Sequence, residues 1–220
     1  GLAAKGSPES ILPLCRLTVE ARQKIEREQE RLAASGFRVI AVGRRCGMDG
    51  IPATLEENEL ELLGLLGLED PPCDMVPEAI RECAGAGIRV VMITGDNGMT
   101  AKSIADKIGL PTGDRVITGP ELDGMSDEEL QLVLRHVNIF ARVIPAHKMR
   151  IVKALKSLNL IVAMTGDGVN DAPALKYADI GIAMGKRGTG VAREAADMVL
   201  LDDNFTTIVD TVRDGRRIYD

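Results

Sequence analysis

Asp167 and Asp171 stand four residues apart in the stretch MTGDGVNDAPAL (164–175), with Gly166 and Gly168 on either side of the first carboxylate. Glycines there let the backbone turn tightly, so both carboxylates can point toward one place. A hard cation such as Mg2+ takes oxygen ligands, needs only one or two protein carboxylates, and leaves its other positions to water and phosphate. Asp167 and Asp171 are therefore candidate metal ligands, although Asp171, placed before Ala172-Pro173, also suits the cap of a following helix. The tripeptide Thr-Gly-Asp occurs once more, at 94–96, followed by Asn97 and Gly98. Here the Thr94 hydroxyl and the backbone N–H groups of the 94–98 loop can donate to a phosphoryl oxygen at a helix start, although an ordinary strand-to-helix turn with an Asp or Asn cap uses the same residues. A third stretch, FARVIPAHK (140–148), carries Arg142 and sets Lys148 close to a helix start, where the helix dipole disfavours a cation. An anion repairs that misfit, and lysine is a common point-charge partner for a phosphoryl group. A hydroxyl, a lysine and a carboxylate pair are the kit for phosphoryl transfer through an aspartyl intermediate, with one part missing, the nucleophile. The two histidines, His136 and His147, receive neither a metal nor a catalytic role.

Each of these stretches follows a short apolar run, at 88–93, 137–141 and 160–164, and further runs lie at 62–68, 179–184 and 197–201. Segments of helical period separate them: Ala101, Ile104, Ala105 and Ile108 share one face, as do Ile151, Val152, Leu155 and Leu158. Strand and helix in alternation predict parallel strands joined by crossovers, with helices on both faces, which is a doubly wound α/β domain. Its ligands bind at the carboxyl ends of the strands, where both Thr-Gly-Asp tripeptides fall. Ahead of this region, residues 17–35 read as a charged helix and 37–43 as a strand. The turn-rich 46–52 segment places a domain boundary near 45–57.

The 220 residues are 45% apolar, enough for a sizeable core. No run approaches the eighteen or so apolar residues of a membrane helix, and the start of the chain lacks a signal-peptide core. The net charge of −6 argues against general nucleic-acid binding. Residues 1–50 nevertheless hold nine Lys/Arg against six Asp/Glu, and residues 51–220 eighteen against twenty-seven. A basic segment ahead of an acidic body suits a site where an anion meets a metal. The four cysteines, at 15, 46, 73 and 83, have no metal or redox spacing and read as reduced thiols.

On these residues the chain resembles the P-type cation-transporting ATPases. MTGDGVNDAPALKYADIGIAMG (164–185) is similar to their hinge motif, ITGDN (93–97) to a second motif of their phosphorylation domain, and FARVIPAHKMRIV (140–152) to their lysine-bearing segment. LLGLEDPP (65–72), AADMVLLDDNFTTIV (195–209), KGSPE (5–9) and GFR (36–38) follow the same pattern in the family's order. The resemblance implies a haloacid-dehalogenase-like Rossmannoid fold. It also implies that Lys5 and Arg38 contact ATP, and that Thr94, Gly95, Asp96, Arg142, Lys148 and Asn170 hold nucleotide or phosphate. Asp167 would bind Mg2+ with Asp171 in support, so that Thr94, Lys148, Asp167 and Asp171 form the catalytic set. The Asp-Lys-Thr-Gly-Thr motif whose aspartate is phosphorylated in the family is absent from the 220 residues. The expectation is therefore a soluble fragment from the cytoplasmic face of a membrane pump, inactive alone, with 1–50 ending a nucleotide-binding domain and 51–220 forming most of a phosphorylation domain. Its partners would be ATP, the rest of the pump chain and, in the membrane part, a transported cation. GKRGTG (185–190) is close to the type II, calcium-pump-like pattern, whereas Cys73 stands where many members have arginine and carries no role. Two other readings use the same residues: an independent phosphatase of this fold, which would need an Asp-x-Asp pair after an early strand, and a non-catalytic nucleotide- or metal-binding module.

Overall fold

The computed structural model describes residues 1–47, 60–69, 71–113 and 115–219. They form two compact units, Gly1–Pro71 with Met99–Ile104, and Pro72–Gly98 with Ala105–Asp220. In chain order the first unit contains β1 (Leu2–Gly6), α1 (Pro8–Ile11), a 3-10 turn at Leu12–Leu14, α2 (Val19–Ala34), β2 (Arg38–Arg45) and β3 (Glu61–Leu68). Helix α2 starts where Thr18 Oγ1 accepts the Ala21 N–H at 3.2 Å, an N-cap that satisfies one of the orphan amides. The strands make one antiparallel sheet in the order β1-β2-β3. Alternation along β2 sends Ala41 and Gly43 inward against Ile11, Cys15 and Leu60, the small core of this unit. Gly43 leaves room for that packing, since a Cβ there would lie 3.1 Å from Leu60.

The apolar run at 62–68, expected to open the parallel array, is instead β3 and pairs antiparallel with β2. Its two glycines fit it to this sheet: a Cβ on Gly67 would stand 3.2 Å from the Phe37 ring, and Gly64, at φ +156°, lies at the irregular register beside Val42 and Gly43. The turn-rich segment at 46–52, where the boundary was expected, lies largely outside the described residues, and the chain after it still belongs to the first unit as far as Pro71.

The chain continues with α3 (Val76–Gly85), β4 (Met92–Ile93), α4 (Gly98–Lys107, of which Met99–Ile104 belongs to the first unit), β5 (Ile117–Thr118), α5 (Gly119–Gly124), α6 (Asp127–Leu134), β6 (Ile139–Ala141) and α7 (Pro145–Ser157). Then come β7 (Ala163–Gly166), a 3-10 turn at Val169–Asp171, α8 (Ala172–Tyr177), β8 (Ile180–Met184), α9 (Gly190–Ala195), β9 (Met198–Leu200) and α10 (Phe205–Tyr219). Two three-stranded sheets result, ordered β4-β6-β5 and β7-β8-β9, and every pairing in them is parallel. The predicted parallel α/β architecture is thus present, with β5 as a strand that the apolar pattern did not reveal. Phe140, Leu130, Leu134, Ile151, Val152 and Leu175 fill the core that joins α6, α7 and α8 to the sheets. Ala79 and Cys83 of α3 pack on Val209 and Phe205 of α10 in a smaller cluster. Among the described residues no helix is long and apolar enough to cross a membrane.

Candidate functional site

The carboxyl ends of β4, β6 and β7 carry the three stretches singled out above. At the end of β4 the chain stays tied to β6: Thr94 N donates to Phe140 O at 2.9 Å, and Val143 N donates to Thr94 O at 3.0 Å. Thr94 Oγ1 accepts the Asp96 N–H at 3.1 Å and donates to Asp96 Oδ2 at 3.3 Å, which makes the 94–96 turn a closed hydroxyl-to-carboxylate pair. Arg142 N in turn donates to Asp96 O at 2.9 Å. Arg142 has φ +51°, a conformation that costs a non-glycine residue free energy, and its carbonyl packs onto Gly119, where a Cβ would stand 2.2 Å from that oxygen. Gly119 is thus a residue of the site that no local motif announces.

Lys148, in the first turn of α7, reaches Asp171, with Nζ 2.6 Å from Oδ1 and side chains only 22% and 6% exposed. The anion that compensates a lysine at this helix start is thus, in this structure, a carboxylate of the same protein. The other Asp171 oxygen, Oδ2, accepts the N–H groups of Asp167 at 3.2 Å and Gly168 at 3.1 Å. Asp171 makes no side-chain cap to α8; it is turned back to brace the 167–168 turn, and the purely capping role fails for that reason. Gly166 is required by the same packing, because a Cβ there would lie 2.5 Å from Asp171 Cβ. With Asp171 engaged on both oxygens, Asp167 is the carboxylate left to face outward: it is exposed and its side chain has no hydrogen-bond partner among the described residues. Asn170, on the same turn, is also exposed.

This donor set suits Mg2+. One outward carboxylate on a backbone held from behind matches a cation that keeps most of its water and shares phosphate oxygens. No cluster of three His, Cys, Asp or Glu side chains able to hold a metal exists among the described residues, so a fully protein-ligated site of the zinc or calcium kind is not built here. Lys148 and Asp171 join the 140–148 segment to the 167–171 turn, and Val143 joins it to Thr94. Thr94, Asp96, Arg142, Lys148, Asp167 and Asp171 therefore belong to one connected network within the second unit.

Lys5 and Arg38 lie in the first unit. Lys5 pairs with Val42, and Arg38 sits four residues earlier on β2, so both side chains leave the same face of the antiparallel sheet. That face, opposite the small core, also carries Ile40 and Val42, with Leu66 and Leu68 about half exposed. Two cations flanking an open apolar surface can take a flat ring and the anion attached to it.

One buried side chain beside the site had been given no role. His147 Nδ1 accepts the Ile144 N–H at 3.3 Å, as a capping-box carboxylate would, and Nε2 lies 2.7 Å from Asp123 Oδ1. The signal available in the sequence was its position three residues after the helix cap.

Comparison with known proteins gives a consistent picture. A family model described as haloacid dehalogenase-like hydrolase matches residues 12–179, which assigns the fold to that Rossmannoid class. "Calcium-transporting ATPase 1" of Schizosaccharomyces pombe is 44% identical over 234 residues, covering 98% of this chain and 25% of the relative. "Calcium-transporting ATPase" of Bacillus subtilis is 48% identical over 204 residues, covering 91% of this chain and 23% of the relative. "Probable cation-transporting ATPase F" of Mycobacterium tuberculosis is 44% identical over 234 residues, 99% of this chain and 26% of its own length. The chain spans about a quarter of the length of the curated relatives it matches.

Proposed function

Because the chain belongs to the haloacid dehalogenase-like hydrolases and is closely related to cation-transporting ATPases, we propose that it handles ATP, Mg2+ and the phosphoryl group for an ATP-driven cation pump. The carrying observation is the network around Asp171. It braces a glycine-flanked turn from behind, pairs with Lys148, and leaves Asp167 facing outward. In this reading Asp167 holds Mg2+, and Asp171 supports that turn without ligating directly. Bound there, the cation would neutralise charge developing on the phosphoryl oxygens. Lys148 exchanges its partner, from Asp171 toward a phosphoryl oxygen, when one arrives. Thr94 releases Asp96 and donates its hydroxyl in the same way, with Gly95, Asp96, Arg142 and Asn170 lining the phosphate or nucleotide. Lys5 and Arg38 contact the nucleotide from the open face of the first unit.

The first unit is then the end of a nucleotide-binding domain and the second most of a phosphorylation domain. The aspartate that accepts the phosphoryl group is carried outside these 220 residues, within a membrane-bound parent whose cytoplasmic side holds this chain. The transported ion is a cation, and the names of two of the relatives above favour calcium.

The test is ligand binding and turnover on the chain itself. ATP should bind, more weakly after Lys5→Ala or Arg38→Ala, and labelled ATP should leave no acid-stable phosphate on the protein. Steady hydrolysis of a simple phosphate ester that disappears in Asp167→Ala would replace this reading with that of an independent phosphatase.

A further inference from the structure

The backbone of Asp167 is gripped from a second side, by a loop with no part in the chemistry described so far. Thr189 N donates to Asp167 O at 2.8 Å. Thr189 also caps α9, its Oγ1 accepting the Ala192 N–H at 3.2 Å, so the donor that holds Asp167 is fixed to a helix start. Every residue of the 185–189 loop leading to it is tied down by a hydrogen bond. Gly185 N donates to Leu200 O at 2.9 Å, and Lys186 N and Arg187 N donate to the two carboxylate oxygens of Asp203 at 3.0 and 2.8 Å. Arg193 closes the other side by donating to the carbonyls of Gly185 and Gly188. A Cβ on Gly188 would stand 1.8 Å from Met184 O, and one on Gly185 would stand 2.8 Å from Leu200 O, so the path of the loop admits no other residue at either position without moving.

Asp203 is the keystone of this arrangement. Its side chain is 8% exposed, its φ of +58° is one that Asp and Asn tolerate better than other side chains, and both its oxygens serve the loop. Burial works against its charged form, but the N–H groups of Lys186, Arg187 and Gly185, with the Arg187 charge, outweigh it and hold the carboxyl below its usual range.

We infer that the 185–189 loop, anchored by Asp203 and Arg193, is a positioning device for Asp167. It acts through the Thr189 N–H, which holds the carbonyl end of the peptide plane following Asp167, the plane whose Gly168 N–H is held by Asp171, and so adds a second restraint on the direction of the outward carboxylate. Asp171 fixes the preceding plane through Asp167 N, so the metal ligand is held between two backbone restraints that originate in different parts of the chain. The inference rests on the reading of Asp167 as the Mg2+ ligand. Partners of this kind, one bond removed from a ligand, commonly change metal affinity by about 10- to 100-fold when lost.

The experiment is Mn2+ binding to the chain, followed by water-proton relaxation, in the wild type and in Asp167→Asn, Asp203→Asn and Arg193→Lys, with amide exchange of Thr189 measured alongside. Asp203→Asn keeps the size and the backbone preference but turns one acceptor toward an N–H as a donor. Expected results are loss of Mn2+ binding in Asp167→Asn, affinity weakened about tenfold with faster Thr189 exchange in Asp203→Asn, and a smaller loss in Arg193→Lys. If Asp203→Asn does not fold, Arg193→Lys decides by the same two readouts. Wild-type affinity in the folded anchor variants, with Asp167→Asn still deficient, overturns the inference and leaves the Mg2+ reading standing. Unchanged affinity in Asp167→Asn overturns that reading and the inference with it.

Discussion

Lys148 and Asp171 form one ion pair but depend on it unequally. Asp171 is almost fully buried and satisfies three donors, whereas Lys148 has a single hydrogen-bond partner among the described residues and is 22% exposed. Removing the carboxylate leaves a partly buried ammonium and two amides without acceptors; removing the ammonium leaves a carboxylate still held by two amides. Asp171→Ala should therefore cost the folded state about 2–4 kcal/mol and Lys148→Met only about 1 kcal/mol, measured by urea denaturation at pH 7. Equal costs would mean that the brace on the 167–168 turn contributes nothing. For phosphate the order should invert. On the proposed reading Lys148→Met removes the cation that would meet the phosphoryl group, and phosphate protection against unfolding should vanish in it.

At the level of elements, the site depends on glycines placed where two backbones touch. Gly119 carries Arg142 O against its Cα, so Gly119→Ala should push the turn after β6 away from the start of α5, cost about 1–3 kcal/mol and, on the proposed reading, weaken phosphate binding through Thr94 and Arg142. Gly85→Ala, in α3, is the contrasting change: nothing lies within 4 Å of its Cβ position, and the gain in helix propensity should stabilise by about 0.5–1 kcal/mol. Asp179 offers a pH test of how α7 is joined to the start of β7, because its carboxylate meets Lys156 Nζ at 2.9 Å and Val162 N at 2.9 Å. The bond from Lys156, then that from the Val162 amide, holds the Asp179 carboxyl below its usual range. A carboxyl lowered on folding contributes stability that is complete above its ordinary value of about 4 and is lost as the pH falls through its folded value. Asp179→Asn should accordingly flatten the decline in urea midpoint below about pH 4 while leaving its slope between pH 6 and 8 unchanged.

For the molecule as a whole, the two units have separate cores and a buried cysteine in each, Cys15 in the first and Cys83 between α3 and α10 in the second. Burial raises both thiols above their ordinary range, aided at Cys83 by the Glu82 charge, so each reacts only when its surroundings open. Cys46 and Cys73 are exposed and should label at once. Cys15, in the smaller core, should become reactive at lower urea than Cys83; coincident transitions would show one cooperative body. The strand-and-loop pattern around Thr94, Lys148 and Asp167 was legible because parallel strands put polar tips directly after apolar runs. What lay hidden were pairings between residues far apart in the chain: β3 with β2, Gly119 under Arg142, Asp203 beneath residues 186 and 187. Each is set by a contact distance, which no local period encodes. The sheet edges hold one more consequence. Among the described strands β4 pairs only with β6 and β7 only with β8, so each Thr-Gly-Asp strand borders its sheet, and Ile161, just before β7, is 82% exposed. Such a border is a template for intermolecular strand addition. The purified chain should self-associate as its concentration rises, and Ile161→Lys should keep it monomeric in sedimentation velocity.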